Sequence, residues 1–125
     1  GEPERVLATV LCIDGSEGWA ELREEVRREV EWFRGRPFLA DASCVAMFDG
    51  PARAVRCAAS VAKHSAEQGV TIRAALHTGE VETGRNPAGL TVEVTRAILA
   101  AAEPGSIVAS STVRACCAGN LRAMP

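Results

Sequence analysis

The chain has 125 residues, of which 47% are hydrophobic and 24% are charged, and its formal net charge is −2. These values predict one globular domain over residues 1–125 that needs no disulfide or metal to form a core, and we expect it to be a piece of a longer protein. The charge balance and the 4% aromatic content argue against nucleic-acid binding. No apolar run approaches the roughly 20 residues of a membrane span.

The chain opens with a strand and a helix. Residues 5–13 are almost continuously apolar, which predicts a central strand buried on both faces, with Asp14 at its carboxyl end. Apolar residues then recur at spacings of three and four over 19–33, between many charged residues. This pattern predicts an amphipathic helix with a solvated outer face, ended by Gly35.

A hairpin and a second helix follow. Segments 37–40 and 43–48 predict two strands joined by a tight turn at 41–42. The sequence Asp-Gly-Pro then predicts a turn and a helix over 51–68, because proline is favoured in the first helical turn. Gly69 is placed to end that helix in the left-handed conformation.

The last third of the chain is predicted with shorter elements. Residues 70–76 predict a strand, and 80–83 a second strand after a turn at His77-Thr78-Gly79. A helix is predicted over 90–102, and a short strand over 107–109. A final helix through residue 118 is expected to be capped by Ser110 or Ser111.

The order of the first six elements predicts the fold. Strand, helix, strand, strand, helix, strand is the βαββαβ order of ferredoxin-like folds. We therefore expect an α+β domain in which an antiparallel sheet carries its helices on one face. The remaining elements are C-terminal additions to that core.

The five cysteines favour a reduced, cytoplasmic protein. Their number is odd and no CxxC pair occurs, so neither a disulfide framework nor a zinc site is predicted. Cys116 and Cys117 are adjacent, which leaves a redox role open for them. Because neighbouring side chains on a helix diverge by about 100°, we favour a structural role for this pair.

Four stretches of the chain carry a resemblance to a known family. They are ERVLATVLCID (4–14), FDGPARAVRCA (48–58), RAALHTGEVE (73–82) and GLTVEVTRAILAAAEPGSIVASSTVR (89–114). Their wording and order resemble the class III adenylate/guanylate cyclase homology domain, and the resemblance covers almost the whole chain. It implies the ferredoxin-like fold above, pairing of two such domains, and a nucleoside triphosphate site between them.

The resemblance also implies a metal site, which this chain retains only in part. Family members use two carboxylates to hold two Mg²⁺ or Mn²⁺ ions. Asp14 matches the first carboxylate. Ala42 stands where the second belongs, and Asp41 would replace it only after a one-residue slip of the hairpin, which would turn its side chains to the other face.

The nucleotide-binding positions implied by the resemblance are also altered. No lysine stands near Phe38 and Leu39, where a base-recognising lysine belongs. Asn86 matches the base-recognising aspartate and Glu93 the asparagine that orients the ribose. Ala97 replaces the arginine that stabilises the transition state, and the segment after Asp14 that helps hold phosphates is mostly missing. Asn86 and Glu93 are thus the candidate nucleotide-binding residues, with Asp14 and Asp41 as candidate metal ligands.

These departures favour a degenerate cyclase homology domain that regulates or dimerises within an intracellular signalling protein. It would act without a cofactor, unless enough of the cyclase-like site survives to hold Mg²⁺ or Mn²⁺. The alternative is an enzyme that forms cyclic nucleotide from ATP or GTP, either with altered site residues or with a partner chain that completes the site. In both cases we expect a homodimer, or a heterodimer with another cyclase-like domain. A third reading is that the more apolar cleft binds an uncharged ligand or is simply filled.

Overall fold

The computed structural model describes residues 4–40, 42–84 and 88–116. Within them one mixed sheet has the spatial order β2-β3-β1-β4-β5. Its strands are β1 (Arg5–Gly15), β2 (Arg36–Ala40), β3 (Ser43–Phe48), β4 (Ile72–Glu82) and β5 (Ile107–Ala109). The first four pair antiparallel, and β5 joins β4 in parallel. The predicted α+β, ferredoxin-like βαββαβ core is confirmed, with β5 as one of its additions.

Helices cover the two faces of the sheet unequally. They are α1 (Trp19–Trp32), α2 (Pro51–Glu67), α3 (Leu90–Ala101) and α4 (Ser111–Cys116). Helices α1 and α2 bury their apolar stripes against one face, around Leu11 and Ile13 of β1. This is the single-face arrangement predicted for the core. The added helix α3 packs on the opposite face, where Val92 and Leu99 meet Val10.

Strand β1 is the central strand, as predicted, and it organises both layers. Its side chains alternate between the two core clusters, so residues 8–13 are buried whichever way they point. That double burial explains why the segment lacks the alternation of polar and apolar residues that a half-exposed strand would show.

Strand β4 corrects one prediction. It runs unbroken from Ile72 to Glu82, so there is no turn at His77-Thr78-Gly79. The long β1 pairs with its whole length, and this ladder keeps the segment extended. Gly79 is required there for close packing rather than for a turn, because a Cβ on it would lie 2.5 Å from Oγ1 of Thr91 on α3.

Helix α1 ends at Trp32, before Gly35 as predicted. The residue in the left-handed conformation is Arg34, at φ 64°. The Gly35 N–H donates to the carbonyl of Val30 at 2.9 Å, which closes the helix end. Gly35 is needed because a Cβ there would come within 2.5 Å of the Phe48 ring.

Gly69 does adopt the predicted left-handed conformation after α2, at φ 80°. Helix α4 is described only as far as Cys116, so Cys117 and the rest of the predicted final helix lie outside the described residues. In the described part of the chain no helix is both long and apolar enough to cross a membrane.

Candidate functional site

The sheet itself places an arginine against the candidate metal ligand. Asp14 and Arg73 are directly opposite each other in the β1–β4 ladder. The Arg73 Nε donates to Oδ1 of Asp14 at 2.7 Å, and Nη2 donates to Oδ2 at 3.0 Å. Both side chains are rather less than a third exposed. This two-pronged geometry is the strongest form of an arginine–carboxylate pair, and it engages both oxygens of Asp14.

The third nitrogen of the same guanidinium reaches the end of α3. Arg73 Nη1 donates to the carbonyls of Ala100 and Ala102, at 3.3 and 3.1 Å. These carbonyls lie at the carboxyl end of α3, where the helix dipole favours a cation. The hydrogen bond with Asp14 raises the pKa of Arg73 above its ordinary value. Arg73 therefore links β1, β4 and α3 as a permanent positive charge.

The position of the second metal carboxylate is held by Ala42, which is exposed. Its backbone carbonyl accepts a hydrogen bond from the indole Nε1 of Trp19, at 2.5 Å. Since the Ala42 side chain is a methyl group, nothing at this position replaces the missing carboxylate. Asp41, the other candidate ligand, lies outside the described residues.

A cavity of about 310 Å³ opens beside Asp14. Its lining is formed by Asp14, Gly15, Ser16, Trp19, Ala42, Thr71, Arg73 and Pro104. Much of its polar lining is already engaged within the chain: besides the Trp19 and Arg73 bonds, Ser16 Oγ accepts from the Thr71 N–H at 3.1 Å. The cleft is thus open in volume but offers a ligand few free polar groups.

The donor set at this cleft does not fit a pair of divalent cations. Such ions need several oxygen ligands, chiefly carboxylates, and here the described carboxylate is Asp14 with both oxygens bonded to a guanidinium. Over residues 4–40, 42–84 and 88–116, no group of three or more His, Cys, Asp or Glu side chains is placed to hold a metal ion.

Glu93, the candidate nucleotide-binding residue on α3, lies away from Asp14. Glu93 is an exposed residue of the first turn of α3. Ala100, near the other end, touches the Asp14–Arg73 pair through its carbonyl. Seven residues of helix separate the two by about 10 Å, so one chain does not bring Glu93 and Asp14 together. Asn86 lies outside the described residues.

Ala97 and Arg96 are neighbours on α3 but differ in exposure, because adjacent side chains on a helix diverge by about 100°. Ala97 is exposed, whereas Arg96 is half-buried. The Arg96 charge acts on Cys12 beneath α3, where it partly opposes the burial that raises the pKa of that thiol to about 12. Arg96 is therefore turned toward the body of the domain and does not replace the missing arginine at position 97.

His77 connects two elements through its hydrogen bonds. Its Nδ1 lies 2.8 Å from Oγ of Ser110, and Thr112 Oγ1 bonds to Ser110 Oγ at 2.9 Å. These contacts tie the middle of β4 to the start of α4. His64 of α2 is exposed and bonds to Glu29 of α1 at 2.9 Å.

Sequence reasoning missed Arg73, whose guanidinium engages both carboxylate oxygens of Asp14. The signal was present, because two fully paired strands covering 5–15 and 72–82 place residues 14 and 73 opposite each other. The predicted turn after Leu76 divided β4 into two strands, so this register was not predicted.

No family model and no curated protein sequence matches the chain. Solved structures do. The monomeric guanylyl cyclase domain of the RhoGC fusion protein from the aquatic fungus Blastocladiella emersonii has a TM-score of 0.84 at 15% identity, over 95% of this chain and 90% of that one. The adenylyl cyclase CyaB from P. aeruginosa has a TM-score of 0.83 at 17% identity, over 98% and 85%.

A third similar structure is the guanylate cyclase domain of RhGC from Catenaria anguillulae in complex with GTP, with a TM-score of 0.79 at 16% identity, over 95% of this chain and 86% of that one. At such low identity the likeness concerns the fold. The resemblance seen in the sequence is confirmed at that level: the chain has the fold of class III adenylyl/guanylyl cyclase domains.

Proposed function

We propose that this chain is a regulatory cyclase homology domain that has lost cyclase catalysis. In this proposal it serves as a dimerisation or sensory module in a cytoplasmic signalling protein. It uses the cyclase fold to present surfaces to a partner and does not join a nucleotide's 3′-oxygen to its α-phosphate.

One observation carries the proposal. Asp14, the described carboxylate that matches the family's metal site, has both oxygens bonded to Arg73. Arg73 is itself fixed by the carbonyls of α3. A metal ion would have to displace a guanidinium that makes four hydrogen bonds, and Ala42 offers it no second carboxylate. The replacements at Phe38, Glu93 and Ala97 point the same way.

A turnover assay tests the loss of catalysis. The purified chain is incubated with ATP or GTP and Mn²⁺, and cyclic nucleotide is measured by mass spectrometry, with the P. aeruginosa CyaB domain as a positive control. We expect no product above a protein-free blank. Product that forms at a measurable rate and disappears in Asp14→Ala would overturn the proposal, since that variant removes the matched carboxylate.

We also propose that the domain pairs with another cyclase-like domain. Glu93 lies in the first turn of α3, whereas the Asp14–Arg73 pair contacts the carboxyl end of that helix. This separation supports pairing, because two parts of one site held at opposite ends of α3 come together only when a second chain contributes one of them. Light scattering at increasing concentration is expected to give a dimer mass. A monomer at all concentrations would contradict self-pairing, and co-purification with a second cyclase-like chain would then test the heterodimer.

The catalytic alternative includes a heterodimer in which such a partner chain completes the site. If a heterodimer were active, adding the partner would produce cyclic nucleotide from a chain that is silent alone. The same mass-spectrometric assay, run on the mixed chains, separates the two cases.

A further inference from the structure

The amino-terminal part of β1 has an open edge. Strand β3 pairs with β1 only from Thr9 to Ile13, because β3 ends at Phe48 and the chain turns into α2. Strand β4 pairs with β1 over its whole length, down to Arg5. Within the described part of the chain, residues 5–8 of β1 therefore have a neighbouring strand on one side only.

The phase of the ladder identifies the unpaired backbone groups. The Glu4 carbonyl accepts the Thr83 N–H at 2.9 Å, so even-numbered residues of this segment direct their backbone groups toward β4. Arg5 and Leu7 consequently direct their N–H and C=O groups to the open side. Among the described residues, no strand pairing or loop hydrogen bond gives these four groups a partner there.

A groove of about 400 Å³ lies along this edge. Its lining is formed by Glu4, Val6, Leu7, Ala8, Arg34, Arg36, Met47, Phe48, Asp49 and Thr83. Leu7 is 71% exposed, which is unusual for a leucine in the central strand of a sheet. The groove thus combines an unpaired backbone edge with an exposed apolar side chain.

Two arginines border the groove on the side away from β1. Arg36 begins β2, which lies one strand farther out than β3, and it pairs with Met47 of β3. Arg34 lies two residues before Arg36 in the chain. Neither has a carboxylate within 4 Å among the described ion pairs. Arg34 holds a left-handed backbone conformation that disfavours non-glycine residues, although glycine follows it directly in the sequence.

We propose that this groove binds an extended peptide strand of a partner protein, which continues the row of β3 alongside Arg5 and Leu7. The free backbone groups require an extended strand, because only its alternating N–H and C=O groups match theirs. Arg34 and Arg36 favour carboxylates in that strand, and Leu7 favours apolar residues beside them. Glu4 and Asp49, which also line the groove, restrict those carboxylates to the vicinity of the arginines.

The partner strand is therefore one that alternates apolar and acidic residues. This surface is distinct from the cleft at Asp14, at the opposite end of β1, so the inference does not depend on whether the domain makes cyclic nucleotide.

Amide exchange in the free chain provides the first test. Val6 and Ala8 donate to β4, whereas the Arg5 and Leu7 amides face the groove. We expect Arg5 and Leu7 to exchange at least about 100-fold faster than Val6 and Ala8 by NMR. Equal protection of all four amides would overturn the proposal, because it would mean that the edge is already covered.

Peptide binding provides the second test. The probe is a short, end-blocked peptide in which valine and glutamate alternate, and its control alternates valine and lysine. We expect the glutamate peptide to slow exchange at Arg5 and Leu7 and to bind at least about tenfold more tightly than the lysine peptide. No protection at millimolar peptide, or equal binding of the two peptides, would overturn the proposal.

Matched variants separate edge pairing from other binding. Leu7→Pro removes a free N–H that no internal bond uses, so we expect it to abolish binding, while Leu7→Thr, which keeps that N–H, still binds. Arg34→Gly suits the left-handed backbone and is expected to weaken binding of the glutamate peptide about tenfold. Unchanged binding in Leu7→Pro would overturn the proposal. So would protection of Leu7 that rises with protein concentration without peptide, since a second copy would then be the occupant.

Discussion

The two ends of β1 are opposites in how their polar groups are satisfied. At the carboxyl end, Asp14 and Arg73 are locked together and to α3. At the amino-terminal end, Arg5 lies opposite Glu82 in the same ladder, but their closest atoms are 3.7 Å apart and the side chains are 66% and 39% exposed. The end that resembles a catalytic site is closed by internal bonds, and the end with no such resemblance carries the free groups.

This contrast shows that resemblance and available chemistry need not coincide on one molecule. In this fold the cleft at Asp14 is internally satisfied, while the amino-terminal edge of β1 has no partner among the described residues. The sheet has a core cluster on each face, and both clusters include residues from the middle of β1. These buried residues hold the sheet together, so the two ends of β1 can differ in how their polar groups are satisfied.

The largest expected effect comes from breaking the closed end. Arg73→Leu leaves Asp14 partly buried without its cation and leaves two α3 carbonyls without a donor. We expect the free energy of unfolding to fall by about 2–3 kcal/mol, measured by urea denaturation. The matched control is Arg5→Leu, which breaks the other β1–β4 ion pair and should cost less than about 0.5 kcal/mol. Equal losses in the two variants would remove the contrast.

A smaller effect is expected at the border of the open end. Arg34→Gly relieves the left-handed backbone and should stabilise the chain by about 0.5–1 kcal/mol. Arg36→Gly removes the same charge from the same groove but lies in β2, so it should destabilise the chain by a similar amount. The difference between the two thermal midpoints checks this prediction. A loss of stability in Arg34→Gly would show that the arginine side chain itself supports the fold.

The smallest effect concerns the buried thiols between the two ends. Burial raises the pKa of Cys12 and Cys57 to about 12 and of Cys44 to about 11, from an ordinary 9.0. The folded state therefore retains protons that the unfolded state loses above pH 9, so stability is complete below pH 9 and declines as pH rises toward 11 and 12. At pH 8 we expect these three thiols to resist iodoacetamide in the folded chain. Rapid modification of Cys12 without unfolding would contradict this burial.

Much of the fold followed from local patterns. The run from Arg5 to Ile13 predicted a central strand, because a segment buried on both faces needs apolar residues at every position. Pro51 marked the start of α2. The break placed in β4 was wrong because Gly79 resembles a turn residue, whereas its real constraint is Thr91 from a helix eleven or more residues away in sequence, which local reasoning does not weigh.

At the candidate site, sequence reasoning identified the positions that lack the expected side chains, but it did not predict the contact between Asp14 and Arg73. Ala42 and Ala97 were identified from the sequence as substitutions that remove a carboxylate and an arginine. The pairing of Asp14 with Arg73 depended on the β1–β4 register, which no residue pattern states directly. Asp41 and Asn86 remain predictions.

By itself the sequence determined the order of the elements and the identity of the central strand, and its resemblance to the cyclase family predicted that most site residues are replaced. These properties depend on side-chain type and spacing, which are local. Only the tertiary structure decided that Asp14 is bonded to Arg73 and that Arg5 and Leu7 have an open edge. Both depend on where strands distant in sequence start and stop against one another, and that register is set by packing of the whole core.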